Sequence, residues 1–417
     1  MRVPGRAHLP RPEAEQQRAF RPQSRNRRAR GSVDHIETPV EEAALTPLSV
    51  LDLAPVSAGS TAAEALHDTV DLARHVDRLG YRRFWLAEHH LAPGVASSSP
   101  AVLIGSVLGA TGRIRVGSGA VLLGLHTPLR VAEDFGTLAH LHPDRVDLGL
   151  GRSGLAKAAE LATARQGAPR PLESRVVDGL PVPRAALRPG SRAAAERLAA
   201  HSRLLGANGG DDDYGEQVRE VLAWLDGTFL DGDGLPARAV SAEGASLQVW
   251  ILGASAGQSS RTAGEHGLPF VANYHTVPGA VLETAASYRE SFRPSAQLAE
   301  PYLIVSADVL VAEDDATARH LAEPFAEWVH EIRYGEGAPP YSTPADAAGR
   351  GWTEGQLEGV ADRLQTRIVG SPETVVERLD VLRRVTGADE LLITTITHGH
   401  RDRLRSFELL AEAWAQR

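Results

Sequence analysis

The feature that most constrains this chain is an alternation of short apolar runs with helical stretches, in which the chemically capable residues sit where each apolar run stops. The clearest repeat spans Arg82 to Gly154. Phe84-Trp85-Leu86-Ala87 ends in Glu88-His89-His90. The run Ile114 to Leu123 carries Gly117, Ser118 and Gly119 and leads to His126-Thr127-Pro128. Val146 to Leu150 runs into Gly151-Arg152-Ser153-Gly154. Strands separated by helices read as a parallel sheet. When eight such units close on themselves, functional side chains gather at the carboxyl ends of the strands.

The rhythm supports eight units and hence an α/β fold, a (β/α)8 TIM barrel. Leu48 to Leu53 is the first strand. Thr61-Ala62-Ala63-Glu64 is a capping box opening a helix that runs to Leu79 and is closed by Gly80. Further strands are predicted over Arg82–Ala87, Ile114–Leu123, Val146–Leu150, Leu247–Leu252, Pro269–Asn273, Tyr302–Val311 and Leu391–Ile396. The intervening helices include Pro100–Ala110, Leu129–Leu141, Val277–Arg293 and Asp314–Ile332, and Arg401–Trp414 closes the chain. Residues 1–44, rich in Arg and Pro without apolar periodicity, read as a disordered leader, and 45–417 as a single domain. Irregular insertions are expected at about 153–246, after the fourth strand, and 333–367, before the last helix–strand unit. A long excursion from a strand end is the usual form of a lid or substrate loop.

Composition removes several chemistries. The 417 residues, 42% of them hydrophobic, can bury one barrel core with extensions. A formal charge of -9 argues against general nucleic-acid affinity. No cysteine is present, which excludes disulfides, thiolate catalysis and Cys-based zinc sites and fits a cytoplasmic protein. Lys157 is the sole lysine, so Schiff-base and P-loop chemistry have almost no place to reside. No apolar run approaches the roughly 18 residues of a membrane span.

Consecutive residues at a strand end point to opposite sides, so one of His89 and His90 faces the barrel mouth and the other packs away. A positioned imidazole exchanges protons near neutral pH. Arg152 offers a planar fork to phosphate oxygens, and the glycines beside it permit close backbone approach. Ser255 and Ser259 lie between a strand and a helix, where free amides and hydroxyls form an anion site. His126, His275, His398 and His400 also fall at predicted strand ends. The spacing His398-Gly399-His400 keeps open a metal-hydrolase reading, although the first strand lacks the histidine pair such barrels use, and no metal ligand is assigned. Gly149, Gly151 and Gly154 spell a GxGxxG, but a fourth strand followed by irregular sequence is a poor setting for a dinucleotide fingerprint.

Taken together, these residues resemble the bacterial luciferase-like flavin-dependent monooxygenases. The resemblance rests on Trp85 to His90, Val116-Gly117-Ser118-Gly119-Ala120, Pro128 through Glu133-Asp134, Asp147 to Arg152, Val249 to Gly253 with Gly267-Leu268-Pro269, and the block from Val369-Gly370-Ser371-Pro372 to Leu391-Leu392-Ile393. It covers about Leu48 to Trp414. It implies a barrel that takes reduced FMN from a separate flavin reductase, with a deazaflavin as second choice, and that oxygenates a small apolar or natural-product substrate with dioxygen through a C4a-peroxyflavin. A non-catalytic flavin-binding relative is the alternative. Residue by residue, His89 matches the catalytic histidine beside the flavin ring. Gly119-Ala120 matches a non-prolyl cis peptide under it, and Arg152, with Ser255 and Ser259 nearby, the phosphate site. His90, His126 and His275 are assigned to the substrate. A homodimer paired through helices between strands one and four is a further expectation.

Overall fold

Every run predicted as a strand contains one, and Ile114–Leu123 contains two. A computed structural model describes residues 45–152, 174–184, 200–206 apart from 202, and 214–417. Its strands are β1 (Leu48–Asp52), β2 (Arg83–Leu86), β3 (Arg115–Ser118), β4 (Val121–Leu122), β5 (Val146–Gly151), β6 (Arg175–Val177), β7 (Leu180–Val182), β8 (Leu247–Gly253), β9 (Phe270–Asn273), β10 (Leu303–Val311), β11 (Ile368–Gly370) and β12 (Glu390–Thr394). Parallel pairing runs β1-β2-β3-β5-β8-β9-β10-β12 and returns to β1 through Val50 opposite Ile393, which closes a (β/α)8 barrel. β4 continues along β5, β11 lies against β10, and β6–β7 is a separate antiparallel hairpin.

Local chemistry sets the helix limits. Thr61 accepts from the Glu64 amide while the Glu64 carboxylate returns to the Thr61 N–H at 2.8 Å, and Gly80 ends that helix with φ 85°. Ser371 caps the helix Pro372–Thr386, with proline at the position that lacks an amide partner anyway. The helices pack a continuous apolar layer onto the outside of the barrel. A second column, including Leu51, Trp85, Trp250, Ile304 and Leu392, fills its interior.

Three elements differ from expectation. The run Ile114–Leu123 is two strands, because the backbone turns at a cis peptide bond between Gly119 and Ala120. Ser118 anchors that turn: its hydroxyl donates to the Gly149 carbonyl and accepts from the Gly149 amide, each at 2.9 Å. A Cβ on Gly149 would lie 2.0 Å from the Ser118 carbonyl, so only glycine allows this approach. The predicted helix Asp314–Ile332 is split into Asp315–Ala322 and Phe325–Tyr334 at Pro324, which has no N–H to continue the ladder. Val277–Arg293 begins as a 3-10 turn, Pro278–Ala280, before the helix Val281–Ser291.

The stretch 333–367 holds three short helices, Pro344–Ala348, Glu354–Glu358 and Ala361–Thr366. The described part of 153–246 holds the hairpin and the helix Tyr214–Asp226. The predicted leader 1–44, the segment after Arg152 and most of Ser191–Leu205, a stretch of the first insertion whose sequence reads as helical, lie outside the described residues.

Candidate active site

At the carboxyl end of the barrel a cavity of about 230 Å³ opens between the ends of β1, β2, β8, β9, β10 and β12. Its walls are largely apolar, with Leu51, Leu53, Ala87, Leu252 and Ile396 among them. His89, Gly119 and His275 reach it from three different strand ends. The loop after β2 is fixed by backbone and hydroxyl bonds: the His89 amide donates to the Ser97 carbonyl at 2.9 Å, and the buried Ser97 hydroxyl donates to the Ala87 carbonyl. That pinning aims the His89 ring at the cavity.

His89 is accessible because it borders the cavity, yet the protein atoms around it strip away bulk water. This desolvation holds its pKa below the ordinary value against the opposing pull of Glu88. Neither ring nitrogen bonds to a described residue, so the neutral imidazole presents both to the cavity. His275 is also desolvated, to a pKa of about 4, and its Nδ1 lies 2.7 Å from the Ser306 hydroxyl.

His90 and His126, expected at the substrate, share a contact with Glu88. Both direct Nε2 at one oxygen of the buried Glu88 carboxylate, at 2.7 and 2.8 Å, while the Leu122 amide donates to the other oxygen at 2.8 Å. Burial pushes the Glu88 pKa up, but these three bonds outweigh it and the net shift is downward. The bond to Glu88 raises the pKa of His126. Neither histidine lines the cavity. Their carboxylate instead ties the end of β2 to the turn that carries β4.

Arg152, Ser255 and Ser259 are absent from the cavity lining as well. They follow the ends of two adjoining strands, Arg152 directly after β5 and Ser255 and Ser259 after β8. Gly151 approaches Ala120, where an added Cβ would lie 3.0 Å from the Ala120 methyl. Arg152 Nη1 donates to Gln258 Oε1 at 2.9 Å, which sets the guanidinium against the first turn of the helix Gln258–Glu265. Ser255 is exposed just before that turn and Ser259 is buried within it. His398 and His400 reach different partners, the Ala58 carbonyl and Asp71.

Sequence reasoning missed the polar end of the cavity. Asp308, from β10, and Arg363, from the helix Ala361–Thr366, both line it, and they pair at 2.9 Å. One signal for Asp308 was available: Ser306 and Asp308 stand two apart in an otherwise apolar strand, so they share a face. Arg363 lay in a stretch without periodicity and gave none.

The profile described as luciferase-like monooxygenase matches residues 46–390. A protein of Escherichia coli K12 named luciferase-like monooxygenase is 34% identical over 87% of this chain and 95% of its own. The crystal structure of apo-MsnO8 is 31% identical with a TM-score of 0.68, covering 89% of this chain and 98% of that one. The oxygenating constituent of 3,6-diketocamphane monooxygenase from Pseudomonas putida, solved with FMN, shares the fold at 19% identity and a TM-score of 0.59 over 89% and 99% of the two chains. With the barrel, its mouth and the match across most of its length in hand, the chain belongs to the luciferase-like monooxygenase family of oxidoreductases.

Proposed function

We propose that this protein is an FMN-dependent monooxygenase that takes reduced FMN from a separate flavin reductase and, with dioxygen, places one oxygen atom on a small organic substrate. The observation that carries the reading is the presence of two chemically distinct features at the carboxyl ends of the barrel strands. One is an apolar cavity bordered by Gly119 and a neutral His89; the other is a guanidinium set against a helix N-terminus. FMN has two halves to match, a flat ring and a dianionic phosphate, so the donor set fits it. Arg152, Ser255, Ser259 and the first amides of Gln258–Glu265 would hold the phosphate, and Gly119 and Ala120 the ring.

When bound, reduced FMN supplies the two electrons that activate dioxygen. The chain's own part is placement, exclusion of water and proton handling. His89 is neutral at working pH and takes or returns a proton at a ring nitrogen facing the cavity. The leucines and Ile396 give the cavity beside it apolar walls. Homodimerisation belongs to the proposal: Val102 on the helix Pro100–Ala110 is 72% exposed beside the groove against the first helix. No described helix is long and apolar enough to cross a membrane.

The test is anaerobic mixing of the protein with photoreduced FMN, followed by admission of oxygen. Release of hydrogen peroxide should be delayed relative to free reduced FMN, and release at the free rate refutes the reading.

A further inference from the structure

We infer that Asp308 and Arg363 form a substrate subsite for an uncharged group carrying a hydrogen-bond donor and acceptor side by side, an amide being the simplest. The inference deepens the functional reading above and rests on it, since it places the substrate in the cavity that His89 borders.

The pair is buried, with side chains 8% and 7% exposed, and is joined by one bond, Arg363 Nη2 to Asp308 Oδ2 at 2.9 Å. That monodentate geometry leaves each partner incomplete. Among the described residues, Asp308 Oδ1 and Arg363 Nη1 have no hydrogen-bond partner, and neither is among the side-chain atoms sealed from solvent without one. Both residues line the cavity, so an acceptor and a donor of one ion pair are left to whatever enters it. In a buried site such atoms are normally satisfied.

Charge decides which ligand suits them. The carboxylate and the guanidinium cancel. The other titratable groups lining the cavity are His275, which packs beside Ser306, and His89, and desolvation lowers the pKa of both below the ordinary imidazole value. The subsite therefore has strong local polarity and no net charge. A substrate carboxylate would gain from Arg363 what it loses to Asp308, and its own desolvation would go uncompensated. A hydrocarbon would leave both atoms unpaired. An amide satisfies both, its N–H on Asp308 Oδ1 and its carbonyl on Arg363 Nη1. The remaining walls, such as Leu53, Val271, Ile332 and Ile396, suit an apolar tail.

The experiment uses three probes of similar length, hexanamide, hexanoate and 2-heptanone, with the full-length protein. Calorimetry reads their affinities with and without FMN, and FMN binding is titrated separately. The wild-type protein should bind hexanamide at least tenfold more tightly than either of the others. Asp308→Asn, which removes the opposing charge, should reverse the order so that hexanoate binds best; circular dichroism and thermal melting show whether the variant is folded. Equal affinity of the wild-type protein for the three probes, with FMN binding intact, overturns the subsite alone. Preference of the wild-type protein for hexanoate also overturns it. Failure of the wild-type protein to bind FMN overturns the functional reading and the subsite with it.

Discussion

The two ends of the barrel bury charge in opposite ways. At the amino end, Arg83 lies inside the barrel and donates to Glu390 at 3.0 Å, Asp147 at 2.8 Å and Gln248 at 2.9 Å, with its guanidinium 4.4 Å over the Trp250 ring. Arg115 and Trp85 complete Asp147, and Ser49 and Tyr302 complete Glu390. Burial pushes the pKa of Asp147 up, but the two arginines outweigh it and hold it well below the carboxylate range. At the carboxyl end, the His89 ring has no hydrogen bond among the described residues and the Asp308–Arg363 pair uses one bond out of several available. A densely bonded polar network sealed from any cavity fixes a structure, whereas a sparsely bonded one that borders a cavity is available to a ligand. The difference teaches that neither burial of charge nor an unpaired buried atom is itself the mark of a site, since Arg83 Nη2 also lacks a partner among the described residues; the mark is incomplete polarity that borders a cavity.

The comparison can be broken most forcefully at the closed end. Arg83→Met should destabilise the protein by about 3–5 kcal/mol in urea unfolding, because it strands two buried carboxylates; a loss below about 1 kcal/mol would mean the network is not structural. His89→Ala should instead leave stability within about 1 kcal/mol and cut oxygenation by roughly 10²-fold or more, read as reduced flavin consumed to give hydrogen peroxide. Arg152→Ala should weaken FMN by about tenfold or more and leave riboflavin unchanged, since only FMN carries the phosphate. Equal loss for both would remove the phosphate role.

The smallest effects are in pH dependence, and the two histidine settings give opposite signs. The folded pKa of His275 is depressed from 6.5 to about 4, so between these values the unfolded chain binds more protons. Stability is therefore full above about pH 6.5 and falls as the pH drops toward 4; His275→Gln should flatten that slope. His126 has a raised pKa through Glu88, so its contribution is full below about pH 6.5 and is lost as pH rises through the raised value. Because His126 is 37% exposed, solvent screens that effect. Glu88→Gln should remove it, read as thermal midpoints at pH 6 and 9.

What could be read from the sequence follows from how local each signal is. Alternating apolar runs and capping residues such as Thr61 and Ser371 act within a few positions, so the eight strands and most helices were legible. The placement of His89 at the end of β2 was legible for the same reason. The division of Ile114–Leu123 was not, because the turn at Gly119–Ala120 depends on a clamp between Ser118 and Gly149, thirty-one residues apart. The helix break at Pro324 was marked by its proline and passed over in favour of periodicity. The shared contact of His90 and His126 with Glu88 was not legible, because strand alternation says which way a side chain points and not which buried carboxylate waits there. Arg363 meets Asp308 across fifty-five residues, through a helix in a stretch with no pattern.

The most direct test of the account is a crystal structure of the protein with FMN bound. The account predicts the ring in the cavity between His89 and the Gly119–Ala120 peptide, with the phosphate on Arg152 and the first turn of Gln258–Glu265. A flavin seated elsewhere, or a phosphate that leaves Arg152 untouched, would contradict it.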